Sequence, residues 1–221
     1  MEGTADDRAA ERETMVREQI ERRGLRDERV LAAMRRVPRH RFVPEKSAEE
    51  AYGDHPVPIG EGQTISQPYI VAETVALAMT AAPPVERVLE VGAGSGYQAA
   101  VLADIAREVV AVERIESLAA RARATLSELG CSNVDVRVGD GTLGCPDAAP
   151  FCAIVVAAAA PAVPEPLKEQ LRVGGVLVVP VGSRWLQDLV VVRRTPSGFT
   201  QESAGGCVFV PLIGEAGWPE K

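Results

Sequence analysis

Two rhythms of apolar and polar positions divide the chain. From residue 88 onward, short apolar runs recur at 88–91, 109–112, 134–138, 154–157 and 176–179, each of a length suited to a strand buried on both faces. Amphipathic stretches at 98–106 and 117–129 lie between them, an alternation that predicts βαβ units and a mostly parallel sheet. Further on, 186–194 and 207–212 flank the turn Thr195-Pro196-Ser197-Gly198 and predict an antiparallel hairpin finishing that sheet.

The first third reads differently. Residues 1–10 are small and polar and are expected to fray. Over 11–23, Met15, Val16 and Ile20 fall toward one side of a helix that Gly24 ends. Asp27 is placed to cap a second helix with Val30, Leu31 and Met34 on one face, and Pro38 stops it after Val37. Five of the sixteen prolines, Pro38, Pro44, Pro56, Pro58 and Pro68, then crowd with Gly53, Gly60 and Gly62 into what reads as an irregular substrate loop. A helix over 67–79 leads into the sheet. The whole is expected to form a single domain over 11–221, with N-terminal helices and substrate loop at 11–67 and a cofactor-binding core at 68–221.

Composition narrows the function classes. At 221 residues, with 46% hydrophobic and 25% charged, the chain supports one sizeable core. A net charge of −7 opposes tight binding to nucleic acid. Cys131, Cys145, Cys152 and Cys207 form no CxxC pair and have only His40 and His55 as companions, so no metal site or disulfide framework is indicated. No apolar run reaches membrane-spanning length, and the start is too polar for a signal peptide, which places the expected location in a reducing cytoplasm.

The chemistry concentrates in VLEVGAGSGYQAA, residues 88–100, a buried strand running into glycines and then a helix. Gly94, Gly96 and Ala99 also satisfy the spacing of a dinucleotide fold, so this turn alone does not choose a cofactor. Glu90 inside the strand and the Gly92-x-Gly94-x-Gly96 spacing favour S-adenosylmethionine. Glu113 ends the next strand, where its carboxylate suits ribose hydroxyls, and Asp140 with Gly141 follows the third, suited to the adenine amino group. An isolated acid is usually a solvated loop carboxylate. Three acids associated with successive strands form a different pattern, because ligands of such sheets bind at the strands' C-terminal ends.

QTISQP at 63–68 could by itself be a helix cap with proline in the first turn. Together with RRGLRDERVLAAMRRVPRHRFVP at 22–44, the glycine turn, GDG at 139–141 and VFVPL at 208–212, it resembles the protein-L-isoaspartate O-methyltransferase family over nearly the whole chain. The resemblance implies an α/β, Rossmann-like S-adenosylmethionine-dependent methyltransferase fold with an N-terminal helical cap and an antiparallel C-terminal strand. It implies methylation of L-isoaspartyl and D-aspartyl carboxylates in damaged proteins, initiating repair through a succinimide, by a monomer. Ser66 matches the family's active-site serine and is also expected to lie against the cofactor. Gln63, Thr64 and Ile65 match a neighbouring cofactor-contact stretch, and Gly92, Gly94, Ser95, Glu113, Asp140 and Gly141 match positions that touch the cofactor. Cys145, Cys152 and Ala157 depart from the family pattern and are expected to reshape the pocket near the end of the fourth run.

The chemistry suits these residues independently. A carboxylate with a reference pKa of about 4 is already ionised at neutral pH and needs no general base. Alignment of nucleophile and methyl group then carries the catalysis, worth roughly 7 to 11 kcal/mol when well enforced. Two other readings stay open: an aspartate O-methyltransferase that tailors a biosynthetic peptide, and a cofactor-binding protein without catalysis. His40 and His55 are as suited to structural roles as to the substrate loop, and Cys152 reads as a small buried hydrophobe.

Overall fold

The computed structural model describes residues 8–220. Of the expected frayed start, residues 1–7 lie outside the described residues, whereas Ala9 and Ala10 already belong to helix α1, Ala9–Met15. Its path continues through a π-helical segment, Val16–Ile20, and a 3-10 turn, Glu21–Arg23, until Gly24 at φ 98° stops it. Met15, Val16 and Ile20 are its buried apolar residues. In α2, Glu28–Arg36, the Asp27 carboxylate accepts the amides of Arg29 at 3.0 Å and Val30 at 3.4 Å, and Val30, Leu31, Ala33 and Met34 go inward.

The proline-rich stretch is more regular than its composition predicts. Two 3-10 turns, Arg39–Phe42 and Glu45–Glu50, precede a hairpin of β1, Val57–Gly60, and β2, Gln63–Ile65. Gly60, Glu61 and Gly62 turn its corner with φ of 91°, 54° and 70°. Proline survives here because a two-stranded ribbon leaves every other amide unpaired, so Pro58 can face Thr64 without breaking a ladder bond the fold requires. Helix α3, Pro68–Ala78, follows with proline in its first turn.

The main sheet has seven strands. In chain order they are β3, Arg87–Val91, β4, Glu108–Glu113, β5, Val134–Val138, β6, Phe151–Val156, β7, Leu171–Gly182, β8, Gln187–Thr195, and β9, Gly198–Cys207. Across the sheet the order is β5-β4-β3-β6-β7-β8-β9, with all pairs parallel except those that β8 makes with its two neighbours. Helix α4, Tyr97–Ala103, links β3 to β4; α5, Glu116–Glu128, links β4 to β5; the short α6, Glu165–Glu169, precedes β7.

Alternate residues of each strand enter two separate apolar cores. Val88, Val109, Ala153, Val176 and Val191 pack beneath the helices, while Leu89, Val110, Ile154, Leu177 and Val192 pack on the opposite face. With both faces covered, the strands read as unbroken apolar runs. The C-terminal hairpin differs in register from its expected form. Its second strand begins at Gly198 and ends at Cys207, where the expected strand began. Residues 201–206 are exposed polar and small residues on a sheet edge, which leave no apolar alternation to read, and the apolar residues after Cys207 instead form a loop.

Candidate cofactor and acceptor site

The parallel strands all end toward one edge, and there a cleft, partly open to solvent, lies between the β2–α3 junction and the ends of β3, β4 and β6. Gln63, Thr64, Ile65, Ser66, Glu90, Gly92, Gly94, Ser95, Glu113 and Gly141 all line it. Asp140 does not.

The glycine turn is built for close approach. Gly92, Gly94 and Gly96 have φ of 85°, 54° and 86°, values that favour residues without a side chain. Its amides are largely spent within the protein. Gly92 and Ala93 donate to the Val112 carbonyl at 2.8 and 3.2 Å, Gly96 donates to Ala93 at 2.8 Å, and Gly94 donates to Glu113 Oε2 at 2.8 Å. A pyrophosphate would need such amides free. The turn therefore supplies room and shape more than donors, which removes the main attraction of a dinucleotide.

Glu113 is 5% exposed, and its second oxygen accepts the Ile115 amide at 2.9 Å. Each of its oxygens retains a lone pair for a ligand hydroxyl. Glu90 is buried. Gln98, at the start of α4, donates to its Oε1 at 3.2 Å, and Oε2 has no partner. Burial pushes the Glu90 carboxyl well above its ordinary range; the Gln98 hydrogen bond draws it back, and the Glu113 charge raises it further. An orphaned acid oxygen in a cleft asks for a cationic or donor group from the ligand. The ammonium of S-adenosylmethionine is such a group, so the donor set fits that cofactor.

Asp140 serves the frame. Its Oδ1 accepts the Thr142 amide at 2.9 Å and the Thr142 hydroxyl at 2.7 Å, while Oδ2 accepts the Glu215 amide at 2.8 Å. Although partial burial opposes it, the Glu215 amide and then Thr142 hold this carboxyl below its usual pKa. Gly141, beside it, lies under the cleft with no space for a side chain, since a Cβ would come within 2.6 Å of Val91 Cγ1.

Several lining residues escaped the sequence reading. Val210, Pro211, Leu212 and Ile213 form a wall from the segment read as a strand. Gln98 was legible only as a polar residue in a helix's first turn. Arg114, paired with Glu220, follows Glu113 at the rim. The expected influence of Cys145 and Cys152 on the pocket does not materialise: neither lines the cleft, and Cys152 sits at the opposite end of β6, buried between the Pro84 carbonyl and the Glu86 amide. Only Ala157 of the three faces it. His40 pairs with Tyr52 at 2.8 Å and His55 with the Pro56 carbonyl at 3.0 Å, and neither lines the cleft.

On the acceptor side, Ser66 ends the hairpin just before α3. Its carbonyl is held by Arg39 Nη2 at 2.7 Å, and its hydroxyl makes no hydrogen bond among the described residues.

Comparison with known proteins agrees with this geometry. The family model described as Protein-L-isoaspartate(D-aspartate) O-methyltransferase (PCMT) matches residues 10–217. The chain is 57% identical to protein-L-isoaspartate O-methyltransferase 2 of Marinobacter nauticus, over 94% of this chain and 95% of that protein. It is 54% identical to protein-L-isoaspartate O-methyltransferase 1 of Syntrophobacter fumaroxidans, over 94% and 96%. Among solved structures, a putative enzyme of the same kind from Plasmodium falciparum, crystallised with S-adenosyl-L-homocysteine, superposes with a TM-score of 0.80 at 25% identity, covering 91% of this chain and 98% of that one.

Proposed function

The chain belongs to the protein-L-isoaspartate(D-aspartate) O-methyltransferase family, and on that basis we propose that Ser66 holds the acceptor carboxylate while the glycine turn, Glu90 and Glu113 hold the methyl donor. The protein transfers a methyl group from S-adenosylmethionine to the free carboxylate of isoaspartyl residues in other polypeptides. S-adenosylmethionine supplies a methyl group on a positively charged sulfur, ready for attack by an anion.

The residues of the chain contribute position and environment. An isoaspartyl carboxylate arrives ionised, and a Ser66 hydroxyl with no hydrogen-bond partner among the described residues can donate to one of its oxygens. That hydrogen bond fixes the acceptor without taking its nucleophilic lone pair on the second oxygen. Glu113, with backbone amides already on both oxygens, is rigid enough to present its remaining lone pairs to ribose hydroxyls. Glu90 offers its unpaired oxygen to the donor's ammonium. The apolar wall from Val210 to Ile213 and Val71 limits water, which strengthens each of these contacts. Methylation turns the free α-carboxylate of the isoaspartyl residue into an ester. Methoxide leaves far more readily than oxide, so the neighbouring backbone amide nitrogen can then close on that carbon to a succinimide, the entry to repair.

The observation that carries the reading is a serine hydroxyl and an acid oxygen, each without a hydrogen-bond partner among the described residues, in the same cleft as a close-approach glycine turn. The test offers labelled S-adenosylmethionine with an isoaspartyl peptide and its aspartyl twin. Labelling of the isoaspartyl peptide alone is expected; preference for the twin indicates a peptide-tailoring enzyme, and labelling of neither indicates a binding protein. Ser66→Ala is expected to lower kcat by roughly 10-fold or more, with S-adenosylhomocysteine affinity nearly unchanged by calorimetry. An unaltered kcat removes Ser66 from the mechanism.

A further inference from the structure

Arg39 is the largest fully buried side chain among the described residues, with no exposed surface. Arginine is seldom so placed unless an acid pairs with it. Among the described residues the groups acting on its charge are the tyrosines 97 and 52, and no carboxylate. Among the described residues one of its nitrogens, Nη1, has no hydrogen-bond partner, and burial draws the guanidinium down to about 10, still charged at neutral pH. Stability gives little reason to keep a buried cation that has no carboxylate partner among the described residues, because an apolar residue of similar size would avoid its desolvation.

What the guanidinium touches supplies a reason. Nε donates to the Ala51 carbonyl at 2.6 Å, Nη2 donates to the Ser66 carbonyl at 2.7 Å, and the group stacks 4.9 Å from the Tyr97 ring centroid. Ser66 and Tyr97 both line the cleft, the first from the acceptor side and the second from the helix that follows the glycine turn. Resting on the proposed role of Ser66, we infer that Arg39 is a positioning residue for methyl transfer, setting Ser66 against the donor side of the cleft through its backbone carbonyl. The hold is on the carbonyl, so the peptide plane is fixed while the hydroxyl stays available to the substrate.

This use needs an arginine. A planar fork reaches two carbonyls from different segments and stacks on a ring at once, whereas an ammonium is a point donor. Lysine at this position keeps the charge and loses the geometry; glutamine keeps one donor and loses the charge, so it relieves the desolvation that threatens folding of the lysine variant.

A double-mutant cycle separates positioning from packing. Arg39→Lys and Arg39→Gln are each made in the wild-type and Ser66→Ala backgrounds, with kcat and KM for an isoaspartyl peptide, the Kd of S-adenosylhomocysteine and the Tm measured on all. Expected is a kcat loss of roughly 10- to 100-fold in the wild-type background, nearly unchanged cofactor affinity, and little further loss once Ser66 is alanine. The same loss in both backgrounds, or a lowered Tm with wild-type kcat well below the melt, overturns the inference and leaves Arg39 a structural residue. If Ser66→Ala alone turns over at the wild-type rate, the reading of Ser66 fails first, and the route assigned to Arg39 fails with it. Should the lysine variant not fold, the glutamine variant by itself distinguishes these outcomes.

Discussion

Glu90 stands inside a buried strand with one oxygen bonded to Gln98 and the other without a hydrogen-bond partner among the described residues. A carboxyl whose pKa is raised by folding binds its proton more tightly in the native chain than in the unfolded one. Its contribution to stability is therefore complete below the ordinary value of 4.5 and is lost as pH rises through the raised value. At neutral pH, Glu90→Gln is expected to raise the Tm of the cofactor-free protein, by about 2 to 4 °C for each kcal/mol recovered at this chain length. It is also expected to flatten the dependence of Tm on pH above 4.5. Melting curves at pH 5 and pH 8 check this; an equal fall in Tm for both proteins contradicts it. A bound ammonium works in the opposite direction, drawing the carboxyl back toward its charged form. S-adenosylmethionine should consequently bind more tightly as pH rises through the raised value, and Glu90→Gln should abolish that trend. The identity and strand position of Glu90 were readable from the sequence. Its missing partner was not, because Gln98 reaches it only after α4 folds back over β3.

Among the elements, the C-terminal segment after β9 changes most in meaning. Its apolar residues read as a strand, yet the sheet finds its edge in the polar β9, and residues 210–213 wall the cleft. Asp140 fastens this wall, accepting the Glu215 amide, while the Thr142 hydroxyl that donates to Asp140 accepts the Ala216 amide at 3.0 Å. Gly214 leaves room for the contact, since a Cβ there would overlap the Asp140 carboxylate. Asp140→Ala is expected to weaken S-adenosylhomocysteine binding and to speed amide hydrogen exchange across residues 210–217 in the cofactor-free protein. Weaker binding with unchanged exchange would instead favour the direct contact with adenine that the sequence pattern suggests. The glycine turn kept its predicted form, because left-handed backbone at Gly92, Gly94 and Gly96 is a local property. The hairpin β1–β2 went unseen because its pairing is across a turn of only two residues amid prolines, without apolar alternation long enough to read.

At the scale of the whole molecule, one sheet joins the helical start to the C-terminal wall, and both edges are poor templates for another chain. The β9 edge is exposed and holds Glu202 and paired glycines 205 and 206, with a register shift opposite Asp188 and Val190. The β5 edge carries Asp135 and Arg137, joined by an ion pair of 2.7 Å. We therefore expect a monomer: light scattering should give about 23.5 kDa across a range of concentrations, and a concentration-dependent dimer would refute this. Among the described residues no helix is long and apolar enough to cross a membrane. Much of this architecture follows from the sequence alone. Strand and helix periods are set by neighbours along the chain, so the five parallel strands, the glycine turn and the QTISQP segment could be found before folding. Tertiary structure decided what those residues face. Contacts between positions far apart in sequence, such as Arg39 with Ser66 and Asp140 with Glu215, decide which groups face the cleft and which brace its walls. No local period records such contacts, because they exist only when the sheet has brought the segments together.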